Sequence, residues 1–323
     1  MKLHPMKFTP VFCYRIWGGE KLKTLLKKNY SEDSIGESWE ISAVEGYETL
    51  VSEGPEKGRN LRQLIEEYKG ALLGNRVYER FGNEFPLLIK YIDAARPLSV
   101  QVHPGDELAR QRHDSFGKNE IWYIMGADPG AELIIGFNRQ IDEVQYEQLL
   151  ENNELMSVMN AQKVKPGDTF YIPTGRVHAI GAGVLLAEIQ QTSDITYRIY
   201  DYDRVDARTG QKRELHTEAA KGAIDYSTRE AYHTEYEEEI NTPNKLVHCP
   251  YFNTDLLIIR GEMNLDFSNR DSFVILMCVE GEALVRSGGS EYSLGLGETL
   301  LIPASTGAIV LVSEACRILE VSL

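Results

Sequence analysis

Hydrophobic positions along this chain recur with two periods, and most follow the shorter one. Short Val, Ile, Leu and Tyr runs punctuated by Gly, Pro, Asn and Asp, such as Phe85–Tyr91, Glu132–Phe137 and Val184–Ile189, predict strands. Two stretches differ. From Asn60 to Phe81, apolar residues fall at Leu61, Leu64, Ile65, Tyr68 and Leu72, the three-and-four spacing of an amphipathic helix. Arg139 to Asn160 repeats that spacing with Ile141, Val144, Leu149, Leu150 and Leu155. The pattern predicts a mainly β protein with helices added in its N-terminal half.

One strand carries more than packing information. In Pro97-Leu-Ser-Val-Gln-Val-His-Pro104, alternation sends Leu98, Val100 and Val102 to one face and Ser99, Gln101 and His103 to the other. Gln101 and His103 then lie about 6 to 7 Å apart along the strand, a spacing suited to gripping one ion between their tips. With Glu120 and His178 they make a candidate divalent-metal site drawn from two strand segments and the loop between them.

Tyr226 to Asn244 is polar, acidic and nearly devoid of aliphatics, and it ends in Thr-Pro-Asn before Leu246 restarts the hydrophobic runs. It reads as a linker, dividing residues 1–240 from 241–323. An internal echo supports that division. Gly167-Asp-Thr-Phe-Tyr-Ile-Pro-Thr-Gly resembles Gly297-Glu-Thr-Leu-Leu-Ile-Pro-Ala-Ser, and at the same offset His178 corresponds to Ala308. The expectation is two β-barrels, one with the metal ligands and one without.

At 323 residues the chain can build one large or two modest cores. Its net charge of -15 repels nucleic acid and anionic membrane surfaces, and no Lys/Arg cluster opposes that field, so neither is expected as a partner. No run of ~18 apolar residues occurs, and Met1-Lys-Leu-His-Pro-Met-Lys7 lacks the apolar stretch of a secretory signal, so a cytoplasmic protein is expected. Cys13, Cys249, Cys278 and Cys316 are scattered and suggest buried thiols, neither a zinc knuckle nor a disulfide framework. Oligomeric state is not legible.

Pro166 to His178, a turn, a strand, a Pro-x-Gly break and then a histidine, resembles the second motif of the cupin superfamily. Gln101-x-His103 followed by Glu120 resembles the first, with Gln in place of its first His. Two imidazoles, a carboxylate and an amide oxygen suit Zn²⁺ and leave positions for water or substrate. Gln101 is the weakest donor of the set and equally suits a substrate contact. His4, His113, His216, His233 and His248 read as ordinary polar residues.

Three ordered segments narrow the resemblance. Pro97–Pro104, Gly117-Lys-Asn-Glu-Ile-Trp-Tyr123 and Glu188-Ile-Gln-Gln-Thr-Ser-Asp-Ile-Thr-Tyr-Arg198 together resemble the type I mannose-6-phosphate isomerases, over about Met6 to Arg204. The resemblance implies two cupin-like jelly-roll barrels, the first catalytic with helical additions and the second metal-free. It implies one zinc ion at His103, Glu120 and His178, with Gln101 as an additional ligand. It further implies an active-site Arg198 and pocket residues Ser99, Lys118, Glu188 and Asp194. There is no room for the large helical insertion of the longer members, so contacts made from that insertion do not transfer.

Aldose–ketose interconversion moves a proton between adjacent carbons through a cis-enediolate, with negative charge on O1 and O2. Glu188 is the preferred base and Asp194 the second; Lys118 and Ser99 suit a phosphate, one as a point charge and the other as a neutral donor. Without the resemblance, Lys118 and Asp194 would read as a solvated pair, Glu188 as a strand-end salt bridge and Arg198 as part of an exposed ion-paired strand. Two other readings use the same ligands: a cupin oxygenase, since two His and a carboxylate also suit Fe(II), and a non-catalytic sugar-binding bicupin.

Overall fold

In the computed structural model, which describes residues 3–323, the short-period runs form three main antiparallel sheets. A six-stranded sheet runs in the order Thr169–Ile172, Glu120–Ala127, Val184–Gln191, Leu87–Ala94, Val11–Gly19, Ile35–Ile41. A five-stranded sheet runs Tyr197–Tyr200, Val100–Val102, His178–Ile180, Glu132–Phe137, Met159–Lys163. Ile92, Trp122, Ile124 and Phe170 of the first pack against Leu133, Ile135 and Ile180 of the second, so the two sheets form a sandwich.

Neither strand order returns to its first member, which corrects the expectation of a closed barrel to a sandwich with edges. Closure requires continuous pairing around the ring, and strands of three residues, Val100–Val102 and His178–Ile180, are too short to wrap it. The third sheet holds Asn244–His248, Asn253–Asp266, Ala308–Ser322, Val274–Ser287 and Ser290–Gly295, with Thr299–Ile302 also paired to Val274–Ser287. Its long strands bend at register shifts near Gly261 and Gly281 and fold over their own core of Leu257, Ile259, Leu276, Val285, Leu311 and Ile318.

The sequence echo is a structural repeat. Gly167 and Gly297 take φ of +92° and +79°, a turn conformation that side chains rarely adopt, and each leads into a strand. The strands that follow begin at His178 and Ala308. The position of His178, a candidate metal ligand, is therefore held by Ala308 in the second copy.

The six-stranded sheet is covered on both sides. All eight residues of Leu87–Ala94 are buried: Ile89 and Tyr91 join a cluster with Ile275 of the C-terminal sheet and with Phe252 and Phe273, which lead into its strands, while Ile92 and Ala94 face the sandwich interior. This is why the run carries apolar residues on both faces instead of alternating. It also places Lys90 inside.

The long-period stretches are shorter as helices than their patterns suggest. Asn60–Phe81 breaks into Leu61–Tyr68, Gly70–Leu73 and Asn75–Phe81, at Lys69 with φ +47° and Gly74 with φ +95°. An Asn60–Gln63 capping box starts the first piece. Within 139–160 only Glu143–Glu151 is α-helical, between an Asp142–Gln145 capping box and Asn153 at φ +56°, and Met159 already begins a strand. Asp106–His113 is a helix that the pattern misses, because Ala109 is its only buried residue.

The acidic 226–244 segment is docked, not free. Thr234 N donates to Thr169 O at 2.8 Å, Tyr236 Oη donates to Gly167 O, and Tyr232 is buried, while Glu235, Glu237 and Glu239 face solvent. Among the described residues, no helix is long and apolar enough to cross a membrane.

Candidate active site

The site lies where one row of side chains from each sheet meets in the sandwich. Across the five-stranded sheet, His178 pairs with Gln101 and Gln101 with Arg198, so the three share a face. Across the six-stranded sheet, Trp39, Lys90, Glu188 and Trp122 are successive partners. The Trp122 and His178 rings meet edge to face at 5.3 Å between centroids. Glu120, two residues before Trp122, therefore faces the same interior.

His103, Glu120 and His178 converge, each fully buried, with one ligand atom apiece all within 4.8 Å of one another. Each imidazole donates from Nδ1 to a backbone carbonyl: His103 to Ile195 O at 2.9 Å and His178 to Arg176 O at 2.8 Å. A carbonyl can only accept, so these bonds fix the tautomer and leave both Nε2 lone pairs facing inward. Those two nitrogens are 3.1 Å apart. Burial first, then the Lys118 ammonium, lowers the pKa of His103; burial and His103 bring His178 down to about 3. Against burial, Lys118 and the two imidazoles hold the Glu120 carboxyl well below its usual range.

Two imidazole lone pairs and an ionised carboxylate crowded together out of water form an arrangement that only a cation satisfies. The Lys118 ammonium meets part of the need, bonded to Glu120 Oε1 and 3.1 Å from His103 Nε2, while Glu120 Oε2 is buried with no hydrogen-bond partner. The Gln101 amide lies 3.4 Å from His178 Nε2, and half a turn of that amide presents its oxygen to the same point. The donor set fits a divalent metal.

Beside this cluster is a cavity of about 390 Å³, and Ser99, Gln101, Lys118, Glu188, Asp194 and Arg198 all line it. The sequence-predicted residues are thus brought together, Asp194 at the exposed rim and Ser99 buried in the wall. Glu188 accepts from Trp122 Nε1 at 2.9 Å and lies 3.2 Å from Lys90 Nζ. Burial, with the Glu120 charge next, raises its carboxyl above the usual value. Arg198 donates to Glu214 O at 2.8 Å, its Nε is buried without a partner, and burial with nearby Arg213 lowers its pKa. Arg204 and Arg213 share the single carboxylate of Asp201. Guanidinium groups therefore outnumber carboxylates at that corner.

Similarity to known proteins gives this geometry its context. Residues 6–132 match the family model of the type I phosphomannose isomerase catalytic domain, and residues 242–322 that of the mannose-6-phosphate isomerase cupin domain. The chain is 38% identical over 315 residues to mannose-6-phosphate isomerase ManA of Bacillus subtilis, covering 95% of each. The chain belongs to the type I mannose-6-phosphate isomerases. A mannose-6-phosphate isomerase of Streptococcus mutans is 34% identical over 90% of this chain and 89% of its own. The crystal structure of the mannose 6-phosphate isomerase from Bacillus subtilis matches with a TM-score of 0.89 at 32% identity, covering 99% of this chain and all of that one.

Membership makes the protein an aldose–ketose isomerase, which sets aside the oxygenase and the non-catalytic binder. Type I enzymes are metal-dependent, in keeping with the His103, Glu120 and His178 cluster.

Several residues of the cavity wall escape sequence reasoning: Arg15, Glu37, Lys90 and Arg213 all line it. Lys90 and Glu37 lie in buried strands, where a charge is rare unless paired. A lone lysine in Leu87-Leu-Ile-Lys-Tyr-Ile92 is the signal that could have found it.

Proposed function

We propose that the enzyme interconverts mannose 6-phosphate and fructose 6-phosphate through a cis-enediolate, with one Zn²⁺ held by His103, Glu120 and His178 and by Gln101 through its amide oxygen. The observation that carries this reading is the convergence of two neutral imidazole nitrogens and a buried carboxylate beside a cavity lined from opposite sheets by Glu188 and Arg198. When bound, the ion supplies Lewis-acid stabilisation of negative charge on O1 and O2 without redox chemistry.

The remaining work falls to the chain. Glu188 removes the proton from the carbon next to the carbonyl and returns it to the neighbouring carbon; its buried, raised carboxyl is closer to neutrality than an exposed one, as a base at ordinary pH requires. Arg198 aims charge-assisted hydrogen bonds at the developing oxyanion, and its unpartnered Nε supports that role. Lys118, which sequence reasoning places at the phosphate, has its ammonium against His103 and Glu120 and so meets the reacting end of the sugar instead. The phosphate then falls to Ser99 and to the corner where Arg204 and Arg213 share one Asp201. That local positive surplus attracts a dianion to a protein whose net charge is -15. Asp194 at the rim accepts from sugar hydroxyls.

Residues 1–240 act as the catalytic unit. Residues 241–323, with Ala308 at the ligand position, form a metal-free cupin-like unit that covers the back of the six-stranded sheet. Acting on a soluble sugar phosphate, the enzyme works in the cytoplasm in this reading.

Arg198→Ala tests the division of labour. It is expected to keep its metal and lose roughly 10²- to 10³-fold in kcat, the cost typical of one oxyanion donor. Metal content and conversion of mannose 6-phosphate, measured on the same sample, check this. Failure of metal-replete wild type to convert either sugar phosphate would overturn the reading.

A further inference from the structure

Behind Glu188 lies a row of alternating charges that neither the metal cluster nor the substrate contacts explain. Arg15 forks onto Glu37, Nε to Oε1 and Nη2 to Oε2, both at 3.0 Å. Glu37 Oε2 also accepts from Trp39 Nε1 at 2.6 Å and stands 3.9 Å from Lys90 Nζ. The same ammonium lies 3.2 Å from Glu188 Oε2 and 4.9 Å from the centroid of the Trp39 ring. Lys90, Glu37 and Glu188 are all buried, so each charge is felt by the next with little screening.

Lys90 is therefore shared between two carboxylates, and only one of them is the proposed base. Burial alone would raise the Glu37 carboxyl, but Arg15, then Lys90, then the hydrogen bonds from Arg15 and Trp39 hold it down to about 2. Its negative charge is thus permanent across the working pH range. How strongly that charge draws Lys90 away from Glu188 depends on how well Arg15 neutralises it.

We propose that Arg15 and Glu37 are positioning residues for the isomerisation, acting through the shared Lys90 ammonium to set how readily Glu188 takes up a proton. This rests on Glu188 being the base.

The other charges facing Glu188 are Glu120 and Lys118 from its neighbouring strand and the residues just before it, and Asp194 and Arg198 from the opposite side of the cavity. They stay in place in the variants below.

The signs follow from the row. Glu37→Gln keeps the shape and removes the charge, so Lys90 serves Glu188 alone and Arg15 becomes an uncompensated cation. Both effects favour ionised Glu188, and the acidic limb of the kcat/KM profile should move down by about one pH unit. Arg15→Met leaves Glu37 pulling Lys90 away, which disfavours ionised Glu188, and the limb should move up by a similar amount. The double variant should fall between the singles. Arg15→Lys should leave the limb near wild type, because it keeps the charge. The substrate's own phosphate also titrates near pH 6, but equally for every variant.

The test is the pH dependence of kcat/KM for mannose 6-phosphate in the metal-replete full chain, beside side-chain carboxyl titrations of ¹³C-glutamate-labelled enzyme. Should Arg15→Met not fold, Arg15→Gln removes the same charge. Opposite shifts of the two singles support the proposal. Limbs that stay put, or move together, overturn it and leave Arg15 and Glu37 as structural residues. A Glu188→Gln enzyme that turns over normally would instead remove the base assignment, which separates the two failures.

Discussion

His178→Ala is expected to lose its metal and its activity together. His178 is fully buried, its Nδ1 is tied to Arg176 O, and its Nε2 lies 3.1 Å from that of His103. Removing the ring takes away one of two imidazole ligands and leaves the Glu120 carboxylate with His103 and Lys118 as its remaining partners. Turnover should fall by at least about 10³-fold, since in the proposed mechanism the electrostatic stabilisation of the enediolate goes with the ion. Elemental analysis of the purified variant should find well under one ion per chain. Circular dichroism serves as the control, because the ring also packs against Trp122. Full metal occupancy in this variant would mean that the ligand set is wrong.

The second expectation separates base from metal. Glu188→Gln should retain the ion, because Glu188 is not among the converging ligand atoms, yet lose roughly 10²- to 10⁴-fold in kcat, the usual contribution of a positioned base. Exchange of the substrate's C2 hydrogen with solvent should fall in the same proportion. Asp194→Asn, at the exposed rim, should raise KM more than it lowers kcat. The reverse pattern, with exchange lost in Asp194→Asn and preserved in Glu188→Gln, would transfer the role of base to Asp194.

Much of the site was legible because strand alternation is a strong constraint. Ser99, Gln101 and His103 had to share a face, and the strand after the Gly167 turn, with the Pro-x-Gly break that ends it, led to a further strand that opens with His178. The sandwich supplies what alternation cannot, the opposition of two sheets that puts Glu120 and Glu188 across from Gln101 and Arg198. Arg15, Glu37 and Lys90 stayed hidden for a physical reason. A charge inside an apolar run is taken for an exposed position until both faces of the sheet are known to be covered, and here the face that carries Lys90 is covered by the five-stranded sheet, whose Gln101, Ile180 and Arg198 line the same cavity. Helix breaks at Lys69 and Gly74 were equally invisible to periodicity, since a positive φ interrupts the backbone without interrupting the apolar stripe. The position of Lys118 also needed the structure: its place beside Glu120 in sequence does not tell whether its ammonium turns toward the ligands or the mouth.

One experiment joins metal, site and reaction in a single sample. Isomerase rate on mannose 6-phosphate and zinc content should be followed together while a chelator is added and zinc is then returned. Both should fall in parallel to near zero and recover in parallel, reaching full rate at one ion per chain. An isomerase rate that persists after the metal has gone would contradict the assignment of His103, Glu120 and His178 as the centre of catalysis.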